Sequence, residues 1–65
     1  MINNFSENLK RYRKYHGIKQ EVLAKKLNVT RQTISAYENN IRTCDLDMLI
    51  KIADILEITV DELIR

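Results

Sequence analysis

Arg31, Gln32, Ser35 and Ala36, with Asn39 one turn further on, are the residues of this sequence whose types and spacing could do chemistry. At about 100° per residue they fall within one sector of a helix, from about 0° to about 140°. An arginine presents a planar fork of donors, and a glutamine or asparagine amide presents a donor beside an acceptor. The sector holds no acid, and its alanine is small enough to let the helix come close to another surface. Ile34 and Tyr37 lie opposite, flanked by Thr33 and Glu38. A face that served only solvation would be richer in Glu and Lys, which favour helix and solubility. The chemistry on offer is hydrogen-bonded recognition: Arg suits guanine edges, and Gln or Asn suits adenine edges.

Other chemistry is poorly supplied. With one His and one Cys, and no close acid–base constellation, nothing resembles a catalytic centre, and we expect no enzyme. Cys44 alone cannot form an internal disulfide or build a zinc site, so no metal and no cofactor is expected. No apolar run is long enough to span a membrane and no signal peptide opens the chain, which leads us to expect a cytoplasmic protein without membrane contact. The 65 residues make one domain, 1–65, with one small core and modest stability. The net charge of +2 is unevenly spread. Residues 1–33 carry eight Lys/Arg against Glu7 and Glu21, a balance of +6, whereas residues 34–65 carry three against seven acids, a balance of −4. Such asymmetry favours a polyanionic partner for the basic part.

Helical periodicity runs throughout, and no stretch alternates like a strand. Phe5, Leu9 and Tyr12 predict a first helix over about 5–15, with Asn3 or Asn4 as N-cap and Gly17 ending it in the left-handed region. Leu23, Ala24 and Leu27 predict a second over 19–27, closed by a short turn at Asn28 and Val29. Thr30 caps a third, which runs to Glu38 or Asn39 and closes at Asn39 and Asn40. After Asp45, the stripe Leu46, Leu49, Ile50, Ala53 and Leu56 predicts a fourth. Thr59 and Glu62 have capping-box spacing for a short fifth, with Leu63 pointing to the core.

The pairing of the second and third helices is more specific. Counted from Gln20, Leu23 and Ala24 are fourth and fifth, Leu27 eighth, Asn28 ninth, Val29 tenth, Ile34 fifteenth and Tyr37 eighteenth. This is the apolar spacing of a helix-turn-helix, with a small residue where the helices touch and a left-handed residue in the turn. The stretch GIKQEVLAKKLNVTRQTISAYENNIR, continued through DLDMLIKIADILEITVDEL, resembles the lambda-repressor/Cro-type helix-turn-helix domains of the Xre family. Asn28 and Asn40 stand where relatives favour Gly, Cys44 where they favour Pro, and Val22 where a charge is common.

The resemblance implies an all-α, five-helix, lambda-repressor-like domain that binds double-stranded DNA, with helix three in the major groove. Carried onto this chain, Arg31, Gln32, Ser35 and Ala36 would read bases. Gln20 would hold a phosphate, helped by the amides at the start of helices two and three, the latter capped by Thr30. Thr33, Asn39, Asn40 and Arg42 would follow the backbone. Arg13 and Glu38 match a pair that joins helices one and three, in which Arg13 either serves structure alone or also faces a phosphate. One domain contacts few base pairs, so a homodimer on a palindromic operator is expected, with half-sites about 34 Å apart. Met48, Ile52 and Ile55, off the main stripe of helix four, and Ile58, Val60 and Ile64 supply the expected dimer interface. The chain ends soon after the domain, so no small-molecule effector is expected. Occupancy of a promoter then favours a repressor. The rival reading is an antitoxin or adaptor-type protein-binding module.

Overall fold

A computed structural model describes residues 4–65. Among them are five helices and no strand: α1 Phe5–Tyr15, α2 Gln20–Leu27, α3 Arg31–Glu38, α4 Leu46–Ile55 and α5 Val60–Ile64. Their starts follow from local chemistry. The Thr30 hydroxyl accepts from Thr33 N, the Asp45 carboxylate accepts from Met48 N, and Thr59 with Glu62 forms the reciprocal capping box. Asn3 lies outside the described residues. Asn4 stands at the N-cap of α1, but its side chain does not cap. It donates instead to the Arg65 carbonyl at 2.8 Å, 61 residues away.

The ends of α1 to α4 share one device. Gly17, Asn28, Asn40 and Glu57 have φ of 67°, 61°, 58° and 59°. In each case the following residue turns its amide back to a carbonyl five positions earlier. Ile18 donates to Arg13 O (3.1 Å), Val29 to Ala24 O (2.9 Å), Ile41 to Ala36 O (2.9 Å) and Ile58 to Ala53 O (3.0 Å). These Schellman closures satisfy carbonyls that a helix end would leave orphaned. The expected left-handed residues at Gly17, Asn28 and Asn40 are present, whereas Asn39 stays right-handed with φ −97°. Glu57 was not expected there, since nothing in its side chain favours that conformation.

The helices gather around Leu9, Leu23, Ile34, Ile52, Leu56 and Leu63, all fully buried. α2 packs on α3 and α4, α1 on α3 and α5, and α4 on α5. Phe5 meets Tyr37 edge to face, with ring centroids 5.8 Å apart. Buried Asn8 ties α1 to the end of α5, its amide donating to the carbonyls of Leu63 (3.0 Å) and Glu62 (3.3 Å). His16 likewise donates from Nε2 to the Leu56 carbonyl at 2.7 Å, joining the ends of α1 and α4.

Helix α4 corrects the expected stripe and, with it, one expected interface residue. Its inward arc runs through half-buried Leu49 and buried Ile52 and Ala53 to Leu56 at its C-cap, spaced i, i+3, i+4, i+7. Leu46 and Ile50 lie beyond one edge of that arc and are exposed. Ile52, expected at a dimer interface, is a core residue with no surface to offer. Met48, Ile55, Ile58 and Val60 are half-buried and pack against the same core, and Ile64 is half-buried.

A left-handed glutamate is strained by contact between its Cβ and the following carbonyl. Replacing Glu57 by glycine is expected to stabilise the domain by about 1 kcal/mol. Urea unfolding measures this, and an unchanged or lower midpoint would contradict it.

Candidate nucleic-acid interface

Helix α3 is held by its apolar seam: Ile34 and Tyr37 are buried, and the short turn through Asn28 sets them against Leu23 and Ala24 of α2. That seam fixes what points outward. Arg31 and Gln32 are exposed, and Thr33, Ser35 and Ala36 are half-exposed. Asn39 donates to the Ser35 hydroxyl at 3.2 Å, one turn back, so the two form one polar step along the face. Asn40 and Arg42 are exposed in the loop beyond, where Ala36 O accepts from both Ile41 N and Arg42 N. The Asn40 side-chain Oδ1 accepts from the Ser6 hydroxyl at 3.3 Å, which braces this loop against α1.

A polar chain runs under the face. Arg13 and Glu38 are both buried and form a bidentate pair, Nε to Oε2 at 2.5 Å and Nη2 to Oε1 at 3.1 Å. Arg13 Nη1 also donates to the Ile18 carbonyl at 2.8 Å. Glu38 Oε1 accepts from Gln20 Nε2 at 3.1 Å, and Gln20 Oε1 accepts from Arg31 Nη1 at 3.3 Å. The neighbours dictate how the Gln20 amide lies, because a carboxylate only accepts and a guanidinium only donates. The chain Arg13–Glu38–Gln20–Arg31 thus links α1, the end of α3, the start of α2 and the start of α3.

Arg13, Lys19, Gln20, Glu21 and Arg31 line a shallow concavity where this chain reaches the surface. α2 opens there from Lys19 without a side-chain cap, which leaves its first amides facing solvent. The structure therefore brings Gln20, Arg31 and the start of α2 together. It sets Arg13 apart from the other basic candidates, since it is buried and three of its five N–H donors are engaged internally. The sequence points to the Arg13–Glu38 pair through the family resemblance alone. The Gln20–Glu38 and Gln20–Arg31 bonds had no local signal, because they join residues 18 and 11 positions apart.

Five helices without a strand among the described residues, two of them joined by a tight left-handed turn, define a helix-turn-helix domain. A family model described as Helix-turn-helix matches residues 9–63, and the chain belongs to this lambda-repressor/Cro-type family of DNA-binding transcriptional regulators. It is 43% identical over 61 residues to the uncharacterized HTH-type transcriptional regulator YqaE of Bacillus subtilis, covering 94% of this chain and 53% of that protein. The fold superposes on a transcriptional regulator from Listeria innocua with a TM-score of 0.91 and 34% identity, covering 98% of this chain and 60% of that one. The chain thus spans little more than half the length of these two relatives. It also matches SinR, the master regulator for biofilm formation, crystallised in complex with DNA (TM-score 0.83, 28% identity, 91% and 95% covered). Hydroxypropylphosphonic acid epoxidase from S. wedmorenis contains a similar fold, with a TM-score of 0.88 and 31% identity, in a match covering 94% of this chain and 32% of the enzyme.

Cys44 sits in the loop between Arg42 and α4. Burial first, and Asp45 second, push its thiol from 9.0 up to about 11. Burial, with Cys44 next, also raises the Tyr37 hydroxyl above its usual 10.0. The unfolded thiol loses its proton before the folded one, so stability falls as pH rises from about 9 to about 11. The stability of the natural chain relative to Cys44→Ala is expected to decline across that window, as read by urea unfolding at each pH. A difference independent of pH would contradict this.

Proposed function

We propose that the chain is a sequence-specific regulator of transcription that sets α3 in the major groove of double-stranded DNA. The observation that carries this reading is the acid-free outer face of α3, with Arg31 and Gln32 exposed at its start. Side chains near the N-terminus of such a helix are the ones that reach base edges. Arg31 keeps donors free beyond its bond to Gln20 and can address a guanine, while Gln32 can address an adenine. Ser35 adds a hydroxyl, and Ala36 leaves room for close approach. Thr30, Thr33, Asn39, Asn40 and Arg42 flank this face and are assigned to the phosphates, with Gln20 using its second amide hydrogen. The uncapped start of α2 adds amides aimed at the same backbone. Arg13 is assigned to positioning rather than to phosphate. SinR, which shares the fold, was crystallised in complex with DNA, and this supports DNA as the partner.

A face this small covers few base pairs, so we infer a homodimer on a palindromic operator, with half-sites about one helical turn apart. Repression follows from occupancy of the promoter. Selection from random duplexes is expected to return a palindromic consensus, and recovery of no enriched sequence would overturn the reading. Against that consensus, Arg31→Ala is expected to lose about 1–3 kcal/mol and to relax preference at one base position. Arg42→Ala is expected to weaken all sequences alike and to reduce the salt slope by about 1. Wild-type affinity and preference in Arg31→Ala would show that the reading face lies elsewhere.

A further inference from the structure

We propose that α1 carries a second DNA-binding strip, formed by Lys10 and Lys14 with Arg11 beside them, which grips the phosphate backbone beyond the bases that α3 reads. The inference rests on the DNA reading of α3 and adds to it a surface outside the helix-turn-helix pair.

Position along α1 is the first observation. Two side chains of α1 reach the end of α3 and the loop after it: the Ser6 hydroxyl meets Asn40 Oδ1, and Arg13 pairs with Glu38. They mark the edge of α1 that meets α3. Lys10 lies four residues after Ser6 and three before Arg13, so it stands along that edge, and Lys14 continues the row one turn on. Both are exposed, as is Arg11. The three cations line one concavity with Glu7, Asn8 and Glu38. Glu38 is also bonded to Gln20, which lines the concavity at the start of α2 with Arg31. The two basic hollows therefore adjoin across the Arg13–Glu38 pair.

These cations are left to a partner outside the domain. Among the described residues the ion pairs are Arg13–Glu38 and Arg65–Asp61, and none of the three belongs to one. Glu38 is committed to Arg13 and Gln20. Glu7 stands one turn before Arg11, a spacing that suits an ion pair, yet Arg11 Nη2 donates to Asn8 Oδ1 at 3.0 Å. The guanidinium also lies over the Tyr12 ring, 5.3 Å from its centroid. Asn8 is buried, and its amide nitrogen is held by the carbonyls of Glu62 and Leu63, which fixes its oxygen toward Arg11. Lys10 and Lys14 are like charges at i,i+4, an arrangement that disfavours a helix on its own. A partner that repeats negative charge along a line, as these lysines repeat positive charge, is a nucleic-acid backbone. In the proposed complex the strand assigned to Asn39 and Asn40 continues along this edge. Such contacts add affinity without reading sequence.

The test compares the selected consensus as a minimal duplex with the same consensus extended by about one helical turn of arbitrary sequence on each side. The wild-type chain is expected to bind the extended duplex about threefold tighter or more, whatever the flanking sequence. In K10A/K14A that gain is lost and the salt slope on the extended duplex falls by about 2 per bound chain, with the consensus preference unchanged. K10R/K14R keeps both the gain and the slope. Both positions are exposed and alanine favours helix, so the variant is expected to fold, which circular dichroism checks. A methylphosphonate removes the charge of a single phosphate. Scanned along the flank, it is expected to weaken the wild type at particular positions and to leave K10A/K14A unmoved. No flank gain in the wild type, the same gain in K10A/K14A, or an unchanged slope would each overturn the strip. The reading of α3 is scored separately. An enriched consensus without flank dependence overturns the strip alone. If selection enriches nothing, the reading of α3 fails, and the strip stands or falls on whether K10A/K14A lowers the salt slope on random duplexes.

Discussion

The buried pair between Arg13 and Glu38 is the interaction on which the rest of the structure depends. Neither charge has enough water to be left alone, and removing one partner from such a pair costs about 3–5 kcal/mol. The bidentate geometry fixes the distance between α1 and the end of α3. The third bond of Arg13, to the Ile18 carbonyl, ties the same guanidinium to the turn that precedes α2. A buried pair of this kind adds little net stability, because desolvation offsets most of the attraction. Its effect is to specify one arrangement of three helices.

That arrangement extends to the surface through one residue. Gln20 is bonded to Glu38 on one side and Arg31 on the other, so the start of α3 is linked to the buried pair below it. A guanidinium with one fixed neighbour has less freedom to lose on binding than one on an untethered side chain. In the proposed complex this preorganises the side chain that reads a base. The apolar seam of Ile34 and Tyr37 performs the complementary task of setting the rotation of α3, so that no acid enters the outward sector.

The features legible in the sequence were those carried by neighbours along the chain. The caps at Thr30, Asp45 and Thr59 and the left-handed Asn28 each rest on contacts within five residues, and the period of a helix shows them directly. The polar face of α3 was legible for the same reason. Helix α4 was harder because apolar residues surround most of it. Periodicity alone could not tell that Ile52 completes the core while Leu46 and Ile50 stay outside. Contacts closing the fold from afar, such as Asn8 with the end of α5 and His16 with Leu56, left no local trace. Glu57 adopts a conformation its side chain does not favour, imposed by the packing of Ile58 behind it.

In the proposed complex the acid-free face of α3, set by the chain from Arg13 to Arg31, meets DNA. Nuclear magnetic resonance titration of the chain with its selected duplex tests that most directly. The largest backbone amide shifts are expected on Arg31 to Ala36, the start of α2 at Gln20 and the loop from Asn39 to Arg42. Shifts centred on the acidic α4–α5 side, with those of α3 unmoved, would contradict it.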